Sequence, residues 1–276
     1  MSLFINHNSA AHSAMNNVSK NQRNLSQSFA RISSGLRINS AADDAAGLAV
    51  SENMDADTRS LRQAHRNTSD GISVIQTAEG ATGEVSDLLK RMRELAVQSS
   101  TGTLDTTERG YIQVEFTELS DEVNRIANVT EFNGIALANN NTTSIDLQVG
   151  IDASSDSQIT ITMGDLRAAS LGIDSGSMKL STVASAQAAI TDLDTALGSV
   201  NGHRSKYGAV QNRLESAMNN LETYTENLSS ACSRIRDADF AHETAELSKF
   251  QIMQQAGISV LGQANGLNSG ALRLIG

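Results

Sequence analysis

The chain has 276 residues, no proline, no tryptophan, 3% aromatic residues and a formal net charge of −10. Average proline usage of about 5% would supply roughly a dozen, so the composition disfavours a loop-rich or aromatic-anchored globule and suits long helices packed by Leu, Ile, Val, Met and Ala. The acidic balance argues against nucleic-acid binding, which needs a basic stripe to neutralise phosphates, and favours solubility through self-repulsion.

The opening residues MSLFINHNSAAHSAM lack a basic segment followed by an apolar one, so no cleaved secretory signal is expected. No run of about 18 apolar residues occurs, so no membrane span is expected either. The first helix carries Phe4, Asn8, Ala11, Met15, Val18, Gln22, Leu25, Phe29, Ile32 and Leu36 at alternating spacings of four and three. That is a heptad seam, the pattern of a helix lying along a partner, and it is weak enough to need tertiary packing.

Residues 33–49, SSGLRINSAADDAAGLA, interrupt the helix. Gly35 reads as a left-handed helix stop. Ser40, Asp43 and Asp44 offer oxygens to the free N–H groups of a new helix, and the small face around Gly47 lets another backbone come close. Helical sequence then continues to about Ser99, with Val85, Leu88, Met92 and Leu95 as its best seam. A turn at Ser100–Thr103 precedes a third helix bearing Ile112, Phe116, Leu119, Val123 and Ile126 on one face. Asn133-Gly134 is a tight-turn signal.

Between residues 135 and 173 apolar and polar residues alternate at Ile145, Leu147 and Val149 and again at Ile159, Ile161 and Met163, which predicts short strands in a hairpin. A long helix returns near Leu180 and runs to about Ile235, with Val183, Ala186, Ile190, Leu193, Leu197, Val200, Tyr207, Leu214, Met218, Leu221, Leu228, Cys232 and Ile235 in its seam. Residues 236–240 (RDADF) form a second joint, with Asp237 and Asp239 as candidate N-caps. The last helix aligns Phe250, Met253, Val260, Ala264, Leu267, Ala271 and Leu274, widened by Leu247, Ile258, Leu261 and Ile275. So much apolar surface on a terminal helix calls for more than one partner. The layout is nearly mirror-symmetric, so both ends can pair as one coiled coil.

The wording of these segments is specific. Residues 33–49 closely resemble the N-terminal signature of bacterial flagellin. Residues 66–80 (RNTSDGISVIQTAEG), 91–99 (RMRELAVQS), 131–135 (EFNGI), 208–214 (GAVQNRL), 227–240 (NLSSACSRIRDADF) and 252–265 (IMQQAGISVLGQAN) also resemble that family, in its order. The resemblance implies a mainly α fold: long coiled-coil terminal helices plus an antiparallel helical bundle with a small β-hairpin region. It implies an inner coiled-coil domain from residues 1–43 and 237–276, and an outer bundle from 44–236 with a short β region at about 133–178. Only residues 135–180 stand where many flagellins insert outer domains, so those domains are expected to be absent.

The implied function is a structural subunit that self-assembles by helix packing into the extracellular flagellar filament used for swimming, with no catalytic step, cofactor or metal. Val18, Leu25, Phe29, Ile32, Phe250, Val260, Leu261 and Leu267 are the expected inner packing residues. Gly35, Asp43, Asp44, Gly47, Asp237 and Asp239 are expected to form the joints between layers. The implied partners are other copies of the chain, the flagellar export apparatus, a flagellin chaperone, the filament cap and the hook–filament junction proteins, with export proceeding without a cleaved signal. A hook–filament junction protein of the same export system is the alternative; the full signature in both halves argues against it.

Arg91, Leu95 and Glu115 match positions through which some flagellins are recognised by Toll-like receptor 5. The chain departs from the family at residues 266–270, where the usual proline after QAN is missing, and at Cys232, a site commonly charged in relatives. That single thiol cannot form an internal disulfide; its seam position predicts a small buried apolar group, with an exposed thiol open to cross-linking as the alternative. The five histidines show no metal-ligand spacing, and no phosphate loop or nucleophile elbow occurs. An enzyme built on this frame would need a catalytic insert, and residues 135–180 contain no histidine.

Overall fold

The structure, a computed structural model, describes residues 7–174, 176 and 178–272, with side chains as far as residue 266. The seam residues Phe4, Leu274 and Ile275, and the side chains of Leu267 and Ala271, lie outside the described residues.

Local chemistry sets the helix ends. Helix α1 (Ser9–Ser34) starts where the Asn8 side chain accepts the Ala11 N–H at 3.0 Å, and stops at Gly35, whose φ of 73° is left-handed. Helix α2 (Ala45–Ser99) follows the first joint. Helix α3 (Thr106–Val129) opens on a reciprocal cap: Asp105 accepts the Glu108 N–H, and the Glu108 carboxylate accepts the Asp105 N–H. The buried Arg109 holds the preceding turn by donating to the carbonyls of Thr101 and Leu104.

Strands β1 (Glu131–Phe132) and β2 (Ile135–Ala136) flank Asn133 and Gly134, both at positive φ, as a two-residue hairpin turn requires. Strands β3 (Ser144–Gln148) and β4 (Gln158–Thr162) pair antiparallel, with Ile145 opposite Ile161 and Leu147 opposite Ile159. On β4 the pleat turns Ile159 and Ile161 inward and leaves Thr160 and Thr162 exposed. A single-turn helix, α4 (Ala168–Leu171), leads towards α5 (Val183–Arg236), whose 54 residues extend about 80 Å at ~1.5 Å each. After the second joint comes α6 (Phe240–Leu272).

The chain forms two compact units, one of residues 1–58 with 226–276 and one of residues 59–225. The sequence suggests a division at the joints, near residues 43 and 237. Packing places the division inside α2 and α5, because the first turns of α2 and the last turns of α5 belong to the same compact unit as the terminal helices.

In the unit of residues 59–225, one core brings Val85, Leu89 and Met92 of α2 against Ile112, Phe116 and Val123 of α3 and Leu193 and Val200 of α5. A second packs Val74 and Ile75 of α2 and Tyr207 and Leu214 of α5 under Ile159 and Ile161 of the hairpin. Several polar groups in these cores bond to the backbone. Ser99 donates to the Leu180 carbonyl, Ser120 to the Ile173 carbonyl, and the Tyr207 hydroxyl accepts the Gly164 N–H at 3.0 Å. Burial pushes the Tyr207 hydroxyl pKa up, with the Gly164 N–H opposing the shift.

Candidate assembly site: the terminal helices and their joints

Within the unit of residues 1–58 and 226–276, α1 and α6 lie antiparallel along each other. Three polar links fix their register. Asn8 Nδ2 donates to the Ala264 carbonyl at 3.0 Å, the Gln254 amide donates to Gln22, and Arg31 meets Glu243 at 3.1 Å. Between them a row of small and medium side chains is buried or half-buried: Ala11, Ala14, Val18, Leu25, Ser28 and Ile32 on α1, facing Leu247, Phe250, Gly257, Leu261 and Ala264 on α6. The close approach has a visible cause, since a Cβ at Gly257 would fall 2.7 Å from Val18 Cγ2.

This seam is shifted from the one that apolar spacing suggests. Met15 and Phe29 are 62% and 65% exposed, Gln22 is exposed beyond its amide contact, and Ala14, Asn21 and Ser28 turn inward instead. On α6, Val260 is 53% exposed and Met253 also faces out. Phe29 and Val260 are therefore not packing residues of the α1–α6 pair. Small residues let the two backbones approach, and the bulky ones are displaced to the outer faces. Val18, Leu25, Ile32, Phe250 and Leu261 do lie at the pair's interface.

The two joints hydrogen-bond to each other, which the sequence did not reveal. The Arg37 N–H donates to the Arg236 carbonyl at 2.7 Å and the Ala238 N–H to the Gly35 carbonyl at 2.9 Å, around a bridge between Leu36 and Asp237. The Arg37 guanidinium also donates to the Ile235 carbonyl, and Arg236 pairs with Glu52 at 3.1 Å. Hence two distant stretches of chain close into one clasp.

Of the four acidic residues, two cap helices and two do other work. Asp44 accepts the Gly47 N–H at 2.9 Å, and Asp239 accepts the N–H groups of Ala241 and His242. Asp43 instead organises the loop, accepting from the N–H groups of Asn39 and Ser40, the Ser40 hydroxyl and the Gln27 amide. Burial acts to raise its carboxyl pKa, but these hydrogen bonds together hold it below the usual carboxylate range. Asp237 accepts from the Ser233 hydroxyl at 2.6 Å. Gly47 is needed for space: a Cβ there would stand 2.5 Å from Asp44 Oδ2 and 2.8 Å from Ile38 Cδ1.

Cys232 is half-buried, its Sγ 3.8 Å from the Ser51 carbonyl. In the other unit Arg91 donates to Glu115 at 2.7 and 3.0 Å and to Glu94 at 3.0 Å, and all three side chains are exposed. The hydrogen bond to Glu115 leads in holding the Arg91 pKa above its ordinary value. Leu95, by contrast, is 2% exposed within the core, so it is no direct receptor contact of the folded chain. Among the described residues no group of His, Cys, Asp and Glu is arranged to hold a metal ion, and no helix is long and apolar enough to cross a membrane.

The bacterial flagellin N-terminal helical region matches residues 5–143, and the C-terminal helical region matches residues 190–275. The chain belongs to the bacterial flagellin family. It is 43% identical to a flagellin of Halalkalibacterium halodurans, over 99% of this chain and all of that one. It is 42% identical to a flagellar filament core protein of Brachyspira hyodysenteriae, with the same coverage. The crystal structure of Bacillus cereus flagellin aligns over 56% of this chain and 88% of that chain, at 33% identity and a TM-score of 0.50. A putative flagellar hook-associated protein from Vibrio parahaemolyticus, 15% identical, covers 71% of this chain and all of its own with a TM-score of 0.59, a likeness of fold alone. The flagellin family is structural and non-enzymatic, and the capping and packing roles found for the acidic and small residues agree with that.

Proposed function

We propose that this flagellin is a structural subunit that polymerises into the extracellular flagellar filament through its terminal helices. The observation that carries the proposal is the apolar surface left on the α1–α6 pair. Met15 and Phe29 lie two heptads apart on one face of α1, and Ile252, Met253, Ile258 and Val260 face out from α6. Each such side chain is worth about 1.5–3 kcal/mol when fully buried, so both helices gain by packing against further copies. A surface used head-to-tail on successive copies does not close, and therefore propagates as a filament. The filament-protein names of its relatives favour this reading over a junction protein.

The finer partners follow from the family. The chain is exported without cleavage through the flagellar export apparatus, escorted by a flagellin chaperone, and added beneath the cap above the hook–filament junction proteins. Toll-like receptor 5 recognition, where it occurs, draws on Arg91 and Glu115. Seeding purified protein with filament fragments and viewing the products by electron microscopy tests the central proposal. Long uniform filaments support it, and persistent monomers overturn it. An intact mass from filaments shorter than the full chain would overturn export without cleavage. A receptor reporter whose response to depolymerised protein is unchanged by Arg91→Ala would overturn a role for that residue.

A further inference from the structure

The unit of residues 59–225 carries two exposed patches of opposite charge that its own fold leaves unpaired. On α5, Lys206, Val210 and Arg213 share one face, with the two cations roughly 10 Å apart along the axis at ~1.5 Å per residue. They flank an open cavity of about 250 Å³ whose other wall carries the exposed hydroxyls of Thr160 and Thr162. Neither Lys206 nor Arg213 has an ion-pair partner among the described residues, whereas the neighbouring Arg204 pairs with Glu79.

The second patch is on α3. Tyr111 is 73% exposed and Val114 is 62% exposed, and Glu118 and Asp121 continue the same stripe at helical spacing. Those two carboxylates also have no partner among the described residues, whereas the adjacent Glu115 and Glu122 are tied to Arg91 and Arg125. Each patch thus offers an apolar step beside two free charges, positive on α5 and negative on α3.

We infer that these patches form a heterologous contact between copies, the Glu118–Asp121 stripe of one subunit seating in the Lys206–Arg213 notch of the next. The occupant is a second copy of this chain, on the argument of charge complementarity. Complementary patches on different elements of one chain are each satisfied once in a two-fold pair or in a head-to-tail repeat, and the filament reading selects the repeat, which does not close. Opposed charges of this kind set register and on-rate as much as affinity. The contact is distinct from the apolar packing of the terminal helices and rests on the filament reading.

The test uses the full chain elongating wild-type seeds, with critical concentration measured by sedimentation at low and high salt. Reversal of the notch (Lys206→Glu with Arg213→Glu) should raise the critical concentration roughly ten-fold at low salt, the loss expected for two exposed ion pairs replaced by repulsion. Reversal of the stripe (Glu118→Lys with Asp121→Lys) should do the same, and the four changes in one chain should restore elongation. Unchanged circular dichroism of the monomers separates the effect from misfolding, since all four side chains are exposed. Wild-type elongation with reversals that have no effect, or a fourfold variant as poor as either double, overturns this contact and leaves the filament reading intact. If the notch reversal is weakened equally at all salt concentrations the contact is not electrostatic, and the inference falls. A wild-type chain that fails to elongate seeds overturns the filament reading itself.

Discussion

Replacing Gly47 by Ala should destabilise the protein by about 1–3 kcal/mol, although Ala is the better helix former. A Cβ at this position would stand 2.5 Å from Asp44 Oδ2 and 2.8 Å from Ile38 Cδ1. Asp44 must swing aside and give up the 2.9 Å bond from the Gly47 N–H, a helix cap worth about 1 kcal/mol. Ile38, only 1% exposed, must also leave its packed position, at a cost of about 1–3 kcal/mol for an overfilled core. The gain in helix propensity returns about 1 kcal/mol at most, so the steric and capping losses win. Urea unfolding followed by far-ultraviolet circular dichroism measures the difference. Gly208→Ala is the control, because nothing lies within 4 Å of a Cβ there; it should stabilise by up to about 1 kcal/mol. A Gly47→Ala protein that unfolds at the wild-type urea concentration with an unchanged slope would refute the reasoning.

Four further outcomes follow from the same structure. Gly35→Ala places a Cβ on a residue with φ of 73°, and should cost about 1–2 kcal/mol in the same urea assay and loosen the clasp between the joints. Phe29→Ser and Val260→Ser should change monomer stability by less than about 0.5 kcal/mol, since both side chains are exposed, yet raise the critical concentration for seeded assembly at least roughly ten-fold. Arg31→Ala strands the buried Glu243 carboxylate and should cost about 2–3 kcal/mol, less than a fully buried pair because Arg31 keeps 27% side-chain exposure. The half-buried His203 ring has its pKa lowered, first by desolvation and then by Lys206, against a smaller opposing effect of Asp165. Its unfolded form takes a proton near 6.5 while the folded form does not, so stability should fall as pH drops from about 7 through 6.5 towards the lowered folded value, and His203→Gln should flatten that slope in thermal melts.

The helical elements, their ends and the hairpin were legible because the signals are local. Gly35, Asp44 and Asp239 act within a turn of their own positions, and the alternation at Ile159 and Ile161 sets the faces of β4 without reference to the rest of the chain. Asp43 and Asp237 stand at the joints without capping a helix, because a carboxylate near a helix start finds whichever N–H or hydroxyl the folded loop presents. Leu95 lies on the bundle seam, and burial among three helices removes it from any surface.

By itself the sequence determined that the chain would be a set of long helices, where they would break, and to which family it belongs, since periodicity, capping and signature wording are properties of contiguous residues. Only the tertiary structure decided which face of α1 meets α6. Apolar spacing alone puts Met15 and Phe29 in the seam, but two helices approach most closely through Ala14, Ser28 and Gly257, and the larger side chains are then left outside. The same holds for the clasp between residues 35–37 and 236–238, whose partners are separated by most of the chain and whose backbone hydrogen bonds leave no trace in residue type.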